Sequence, residues 1–248
     1  MELRRFRADL HIHSCLSPCG ELSIYPRKIV ERALEEGLGI IAVSDHNTAE
    51  NAGAVVRAAR GTGLTVFPGM ELTSEEEVHI LGLFETLEAL APVQDEVFRK
   101  LPAPLQNDPF LKDQVIVDEN DEVAGFSPHF LMAAVALSVF EIVELIHKNG
   151  GLAIASHIDR DAFSLFSQLG FIPPGLALDA LEVSPLTSLG RARRVFAAEA
   201  ALPLVRFSDA HRPEEIGRAW TELRLAAPQW SEIRLALRGK KGRRVYRS

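Results

Sequence analysis

Histidines and carboxylates recur in this chain at the ends of short apolar runs, and this recurrence constrains the fold more than any other feature. His11 and His13 close a run over 5–10, Asp45 and His46 follow one at 39–44, and Glu71 lies in one at 64–72. His79 lies in a run at 78–84, His157 follows one at 152–156, and Asp209 and His211 follow one at 204–208. Such runs read as β-strands. Alternate side chains of a strand share a face, so the His-x-His spacing lets both imidazoles reach one metal ion. Imidazole and carboxylate are the usual ligands of Zn, Mn or Fe. Strand after strand carrying them at one end implies a barrel with a metal cluster in its mouth, because such barrels place reactive groups at strand C-termini.

Apolar periodicity supplies the rest of the framework. Residues 24–38 read as a helix with Pro26 in its first turn and Ile29, Val30, Ala33 and Leu34 on its apolar face. A second helix spans 48–60, with Ala52, Val55, Val56 and Ala59 on one side. A third begins at the capping-box pair Ser138 and Glu141 and stops at Asn149-Gly150-Gly151. A further strand falls at 181–184, and a helix over 188–201 separates it from the last run. Strand–helix alternation implies parallel pairing. Seven strands of this kind fit a closed or nearly closed (β/α) barrel better than an open sheet.

Residues 85–130 break the alternation. They hold Pro92, Pro102, Pro104, Pro109 and Pro128, and the segments 114–117 and 122–124 flank Asp118-Glu-Asn-Asp121 as a short hairpin would. An insertion of this kind is either a lid that shapes the mouth or a peripheral elaboration.

Bulk properties exclude some classes. With 248 residues, 47% of them hydrophobic, the chain can bury one large core, and a single domain over 1–248 is expected. The net charge of −7 argues against a protein that coats nucleic acid. No apolar stretch is long enough for a membrane span, and charges stand where a signal peptide needs its hydrophobic region, so a cytoplasmic protein is expected. Cys15 and Cys19 are too few for a disulfide scaffold. His147, near a helix end where a cation suits the dipole, and His129, in the insertion, stand outside the recurrent pattern.

Taken in order, Asp9-Leu-His-Ile-His-Ser14, Ser44-Asp-His46, Pro68-Gly-Met-Glu71, Val78-His-Ile-Leu-Gly82, Ser156-His157 and Ser208-Asp-Ala-His211 resemble the polymerase and histidinol phosphatase (PHP) family. The resemblance runs from residue 6 to residue 215. Leu16-Ser-Pro-Cys-Gly20 and His157-Ile-Asp-Arg160 are similar to a bacterial subgroup of stand-alone members. The resemblance implies a distorted (β/α)7 barrel with two or three divalent metal ions (Zn, Fe or Mn) at the strand C-termini. Under it, His11, His13 and Asp209 would hold the first metal, and Glu71 would bridge to a second completed by His79 and His157. The third would take His46, His211 and the residue six positions after His13. Relatives often have His or Asp there, and this chain has Cys19. A thiolate would favour Zn or Fe over Mn; otherwise Cys19 is a small buried hydrophobe. Asp209 and His211 would lie at the reacting centre. Asp9 and Asp45, each beside a ligand, would hold an imidazole in one tautomer.

The activity implied is phosphoric ester hydrolysis, in which metal-bound hydroxide attacks near neutral pH and the cations absorb charge. Arg160, three residues past His157, either grips the phosphate through its guanidinium or pairs with Asp159 or Asp161 on the surface. The acidic balance and the proline-rich insertion favour a phosphomonoester of a small metabolite or nucleotide. The alternatives are an exonuclease or polymerase-associated editing domain acting on nucleic acid, and a non-catalytic metal-binding regulatory protein. The basic run Arg238, Lys240, Lys241, Arg243, Arg244 and Arg247 would guide a nucleic acid under the first alternative, and is otherwise a solvated terminus or last edge strand.

Overall fold

A computed structural model describes residues 2–104, 114–199 and 201–246. Strand β1 (Arg4–Ile12) begins as an exposed, arginine-rich ribbon and ends buried. Its first half pairs antiparallel with β10 (Thr221–Leu225), and from Ala8 onward it pairs in parallel with β2 (Ile40–Val43). The β1–β2 register shifts between Asp9 and Ile12. A bulge of this kind re-aims side chains. Ala8 and Leu10 join an apolar cluster with Phe67, Leu152 and Phe207, while Ile12 packs with residues of α1 (Pro26–Glu35) and α2 (Ala52–Ala58).

Strand β3 (Thr65–Thr73) changes partner halfway along its length. Its first half pairs in parallel with β2, and Gly69–Thr73 pairs antiparallel with β4 (His79–Leu83). Pro68 and Gly69 stand at the changeover. A Cβ on Gly69 would lie 2.9 Å from Leu83 Cδ2 and 3.2 Å from the Val43 carbonyl oxygen, so glycine lets the three strands meet. Strand β4 is also antiparallel to β7 (Leu152–Ala155), after which β8 (Ala180–Val183) and β9 (Leu204–Arg206) continue in parallel. The wall closes on itself where Ile12 bridges Ala210 and the His13 N–H donates to the Ala210 carbonyl at 2.9 Å.

The expected barrel is thus a nearly closed wall of β1, β2, β3, β4, β7, β8 and β9 among the described residues. Uniformly parallel pairing fails at β4. A parallel crossover needs a dozen or more residues, and only residues 74–78 join β3 to β4. His79 consequently sits at the start of its strand, at the same end of the sheet as the other histidines.

Two helices differ from the pattern-based reading. Residues 85–100 read as irregular because of Pro92, yet α3 (Leu87–Lys100) runs through it. Thr86 caps it, Leu90, Val93 and Val97 form its buried stripe, and Pro92 lies on the exposed face where the freed carbonyl meets water. Beyond the expected elements, α7 (Trp230–Leu237) closes the far end of the barrel, with Trp230, Ile233 and Leu237 packed against the interior cluster. Helices α4 (Val139–Lys148), α5 (Leu165–Leu169) and α6 (Leu189–Val195) cover the outside of β7, β8 and β9.

Within the insertion, the hairpin is present as β5 (Val115–Val117) and β6 (Val123–Phe126). It is tied to the mouth-side loops by Asn51, whose Oδ1 accepts from the Val117 N–H at 3.0 Å. Residues 105–113, with Pro109, lie outside the described residues, as do Ala200 and Arg247. Of the basic C-terminal run, Arg244 lies in edge strand β11 (Arg244–Val245), paired to β10 at the end of the barrel opposite the histidines. That placement removes it from the mouth. No helix among the described residues is long and apolar enough to cross a membrane.

Candidate metal centre

The side chains singled out by the strand-end pattern converge on Glu71. Its Oε1 lies 3.4 Å from His11 Nε2, 3.2 Å from His79 Nδ1 and 3.2 Å from His157 Nε2. Its Oε2 lies 3.5 Å from His13 Nε2 and 3.2 Å from His46 Nδ1. Asp209 Oδ1 completes the ring at 3.1 Å from His13 Nε2 and 3.4 Å from His11 Nε2. His211 stacks on His13 with ring centroids 4.1 Å apart, and its Nδ1 donates to the Asp209 carbonyl at 2.8 Å, leaving Nε2 its lone pair. His147, paired with Asp179, and His129, stacked on Phe98, lie outside this cluster.

Local backbone geometry delivers these groups. Asn47, His157 and Asp209 each follow a strand end in the left-handed region, at φ of 51°, 29° and 49°. Asn, Asp and His tolerate that region better than most residues, and strain of this kind gathers at functional sites. The loop after His13 is pinned at Gly20, where a Cβ would fall 2.6 Å from the Ser14 carbonyl oxygen. That tight turn carries Cys19 to the mouth.

Hydrogen bonds set the imidazole tautomers. Ser17 Oγ donates to Asp45 Oδ1 at 2.6 Å and so accepts from His13 Nδ1 at 2.9 Å. Asp45 thus orients His13 through Ser17, while also accepting from the Ser14 N–H and hydroxyl. His11 Nδ1 donates to Glu182 Oε2 at 2.8 Å. Both histidines therefore present Nε2 to the cluster. Asp9 touches no imidazole: its oxygens accept from the Ser208 and Gly217 N–H groups, which fixes the turn carrying Asp209. Glu182, fully buried in β8, does what was expected of Asp9 and was missed by sequence reading. Its signal was available: a lone acid inside the otherwise apolar strand Ala-Leu-Glu-Val.

The electrostatics favour a cation. Burial and the neighbouring His211 push His13 down to about 3, and burial with His13 holds His46 well below the ordinary imidazole range. Both are neutral and offer lone pairs. Burial raises Glu71 and Asp209, but for Glu71 the charges of His79 and His11 outweigh it, and for Asp209 the charge of His11 does, so both remain anionic. His11 is pushed down by burial but raised further by Glu182, Glu71 and Asp209, so it ends well above its usual value. Burial lifts Asp9 to about 7 against its hydrogen bonds from Ser208 and Gly217, and also raises Asp45.

The donor set fits metal ions. Glu71 Oε1 has two lone pairs for three imidazole neighbours, and neither it nor buried His79 Nδ1, which faces it, has a hydrogen-bond partner among the described residues. Among the described residues, three groups each bring their ligand atoms within 4.8 Å of one another: His11, His13, Glu71 and Asp209; His46, Glu71 and His79; and His13, His46 and His211. His46 thus stands between two groups. Cys19, exposed rather than the small buried hydrophobe of the alternative reading, and His157 line the same cavity but belong to none of these groups; desolvation in the crowded mouth and the charge of Glu71 push the Cys19 thiol up to about 12.

Above the cluster is a cavity of about 200 Å³ lined by Cys19, Thr73, Met132, Arg160 and Phe163 together with the histidines. Arg160 pairs with neither Asp159 nor Asp161: its Nη2 lies 2.5 Å from Asp209 Oδ2. Asp159 instead accepts from the Ser184 N–H and hydroxyl.

Comparison with known proteins agrees with this architecture. The family model described as PHP domain matches residues 9–164, and one described as PHP-associated matches residues 188–241. A 5'-3' exoribonuclease of Haemophilus influenzae is 32% identical over 139 residues, covering 54% of this chain and 46% of that protein. A lesion-specific endonuclease of Pyrococcus furiosus superposes with a TM-score of 0.77 at 20% identity, over 98% of this chain and 58% of that one. A candidate metal-dependent phosphoesterase of Bifidobacterium adolescentis gives a TM-score of 0.55 at 21% identity, over 82% of this chain and 87% of that one. These structural likenesses establish the fold. The chain spans about half the length of the exoribonuclease it matches.

Proposed function

Because the chain belongs to the PHP domain family, we propose that it is a metal-dependent hydrolase of phosphoric esters, acting on a terminal phosphate of a small nucleotide-like ester. The observation that carries this reading is the mouth, a cavity of about 200 Å³ floored by the Glu71 cluster and walled by Arg160. It falls below the ~300–1,000 Å³ of pockets that enclose larger ligands. A terminal phosphoryl group is small enough to reach the floor of such a cavity.

His11, His13, Asp209 and Glu71 would hold one divalent ion, Glu71 with His79 and His157 a second, and His46, His211 and Cys19 a third. When bound there, the ions supply an activated water and charge that stabilises the phosphoryl group. The thiol of Cys19 would bias its position toward Zn or Fe over Mn. The protein's own groups orient and hold. Arg160 turns from Asp209 to grip phosphoryl oxygens through its fork of donors. Glu182, and Asp45 through Ser17, keep the His11 and His13 rings aimed, while Asp209 and His211 stand at the reacting centre. One nine-stranded sheet runs through both matched segments, which supports a single domain over 1–248. Just past the insertion, the Leu131 and Ala133 carbonyls, each anchored on Asn47 Nδ2 at 2.9 Å, hold Met132 at the rim, which supports a lid role for the insertion that ends beside it.

The likeness to the exoribonuclease favours a second reading, removal of nucleotides from an RNA end. The test is phosphate release by protein loaded with Mn, Zn or Fe, using nucleoside monophosphates, sugar phosphates and short RNA. We expect chelator-sensitive turnover, with Arg160→Ala lowering phosphate affinity by roughly one to two orders of magnitude, since a charge-assisted pair is worth ~1.5–3 kcal/mol. Steep loss of activity with salt, on RNA alone, would select the second reading. Fully loaded protein that hydrolyses none of these substrates would reject both.

A further inference from the structure

The loop after β7 sets an aromatic ring on the rim of the cavity at an unfavourable backbone position. Phe163 has φ of 56°, a region where a bulky side chain is disfavoured. Its ring lies on His79 with centroids 4.8 Å apart and planes at 21°, and its carbonyl accepts from the His79 N–H at 2.9 Å. One face is therefore covered, yet 42% of the residue remains exposed. Met132, just past the insertion, lines the same cavity and is also 42% exposed. Neither belongs to any of the three apolar clusters formed by the described residues. Core packing does not explain why these two residues are large and apolar.

We propose that Phe163 and Met132 form an apolar jaw that stacks on the nucleobase of the substrate while its phosphate sits at the cluster floor. This rests on the phosphoric ester reading above and names the substrate class as nucleosidic. An outward aromatic face takes any base by stacking, and a thioether adapts to flat ligands through its soft, polarisable surface. Arg160 is the only arginine or lysine among the described residues that line the cavity. Recognition beyond the phosphate must then come from apolar contact. A jaw of two side chains beside one arginine matches a single nucleoside phosphate, with the base outside and the phosphate inside.

The test is calorimetric binding of adenosine 5'-monophosphate and ribose 5-phosphate to the metal-loaded protein, read as the ratio of the two affinities. The wild-type chain is expected to favour the nucleotide roughly tenfold, about 1.4 kcal/mol, within the span of one stacked base. Phe163→Ala should bring the ratio close to one, and Phe163→Trp should retain it. Met132→Ala should lower it in part, and this variant decides the question if Phe163→Ala does not fold. Equal wild-type affinities, or a preference that survives both alanine variants, would overturn the jaw. If the preference follows these expectations but neither compound is hydrolysed, the jaw stands and the phosphoric ester reading fails.

Discussion

Glu182 offers the sharpest probe of the cluster. It is fully buried, it accepts from His11 Nδ1 at 2.8 Å, and its other oxygen, Oε1, has no partner among the described residues. Glu182→Gln keeps shape and one acceptor but removes the charge that helps hold His11 above its ordinary range. Replacing the group behind a metal-bound imidazole typically costs 10–100-fold in metal affinity, or about 1.4–2.7 kcal/mol. The new amide NH₂ would also face the position of Oε1, where a buried unsatisfied donor costs about 1–3 kcal/mol of stability. Competition against a chelator of known affinity, with a thermal melt of the metal-free protein, reads the two effects separately. Asp179→Asn is the control: Asp179 makes the same 2.8 Å contact to His147, away from the cluster, and should leave metal affinity unchanged. Unchanged metal affinity in Glu182→Gln would refute the argument that this carboxylate orients a ligand.

Three further outcomes follow from the same geometry. Against burial, His11 is raised well above its usual value by Glu182, Glu71 and Asp209, so metal loading should release protons and affinity should rise with pH. Calorimetry in buffers of different ionisation enthalpy measures this, and zero release would contradict it. Glu232 is lowered by its hydrogen bonds from Arg243, against burial, and further by the Ala226 N–H. A lowered carboxylate stabilises above its unfolded value of about 4.3 and loses that stabilisation as pH falls through the folded value. Melts of Glu232→Gln should therefore lie below wild type at pH 7 and converge with it in strong acid, and a pH-independent gap would refute the assignment. Because the exposed Lys240 and Lys241 lie at the far end of the barrel, charge reversal at both should leave turnover and its salt dependence unchanged. A selective loss on oligonucleotides would place nucleic acid there after all.

Much of the centre was legible in the order of residues because strand ends are local and chemical. A histidine after an apolar run projects from the same end of a barrel wherever the run lies, so His11, His13, His46, His157, Asp209 and His211 could be grouped without coordinates. The apolar stripes of α1 and α4 were legible for the same reason, since burial periodicity is written in neighbours three and four apart. The reversal of β4 also followed from a local fact, the five-residue link after Thr73, although strand–helix alternation hid it. Helix α3 was hidden by a rule applied without its context. Pro92 costs α3 a hydrogen bond wherever it faces, and the burial of Leu90, Val93 and Val97 that offsets this cost is a tertiary property.

Other features belong to tertiary structure alone. Glu182 meets His11 across 171 positions of sequence, and Arg160 turned to Asp209 rather than to the acids beside it in the chain. Phe163 and Met132 share a cavity although they come from different loops. The strand-end chemistry was determined by sequence, because each such residue carries its own donor atom and its own place on a strand. The choice of partner for each was decided by barrel closure, which brings charges together through a desolvated interior where only paired groups are tolerated.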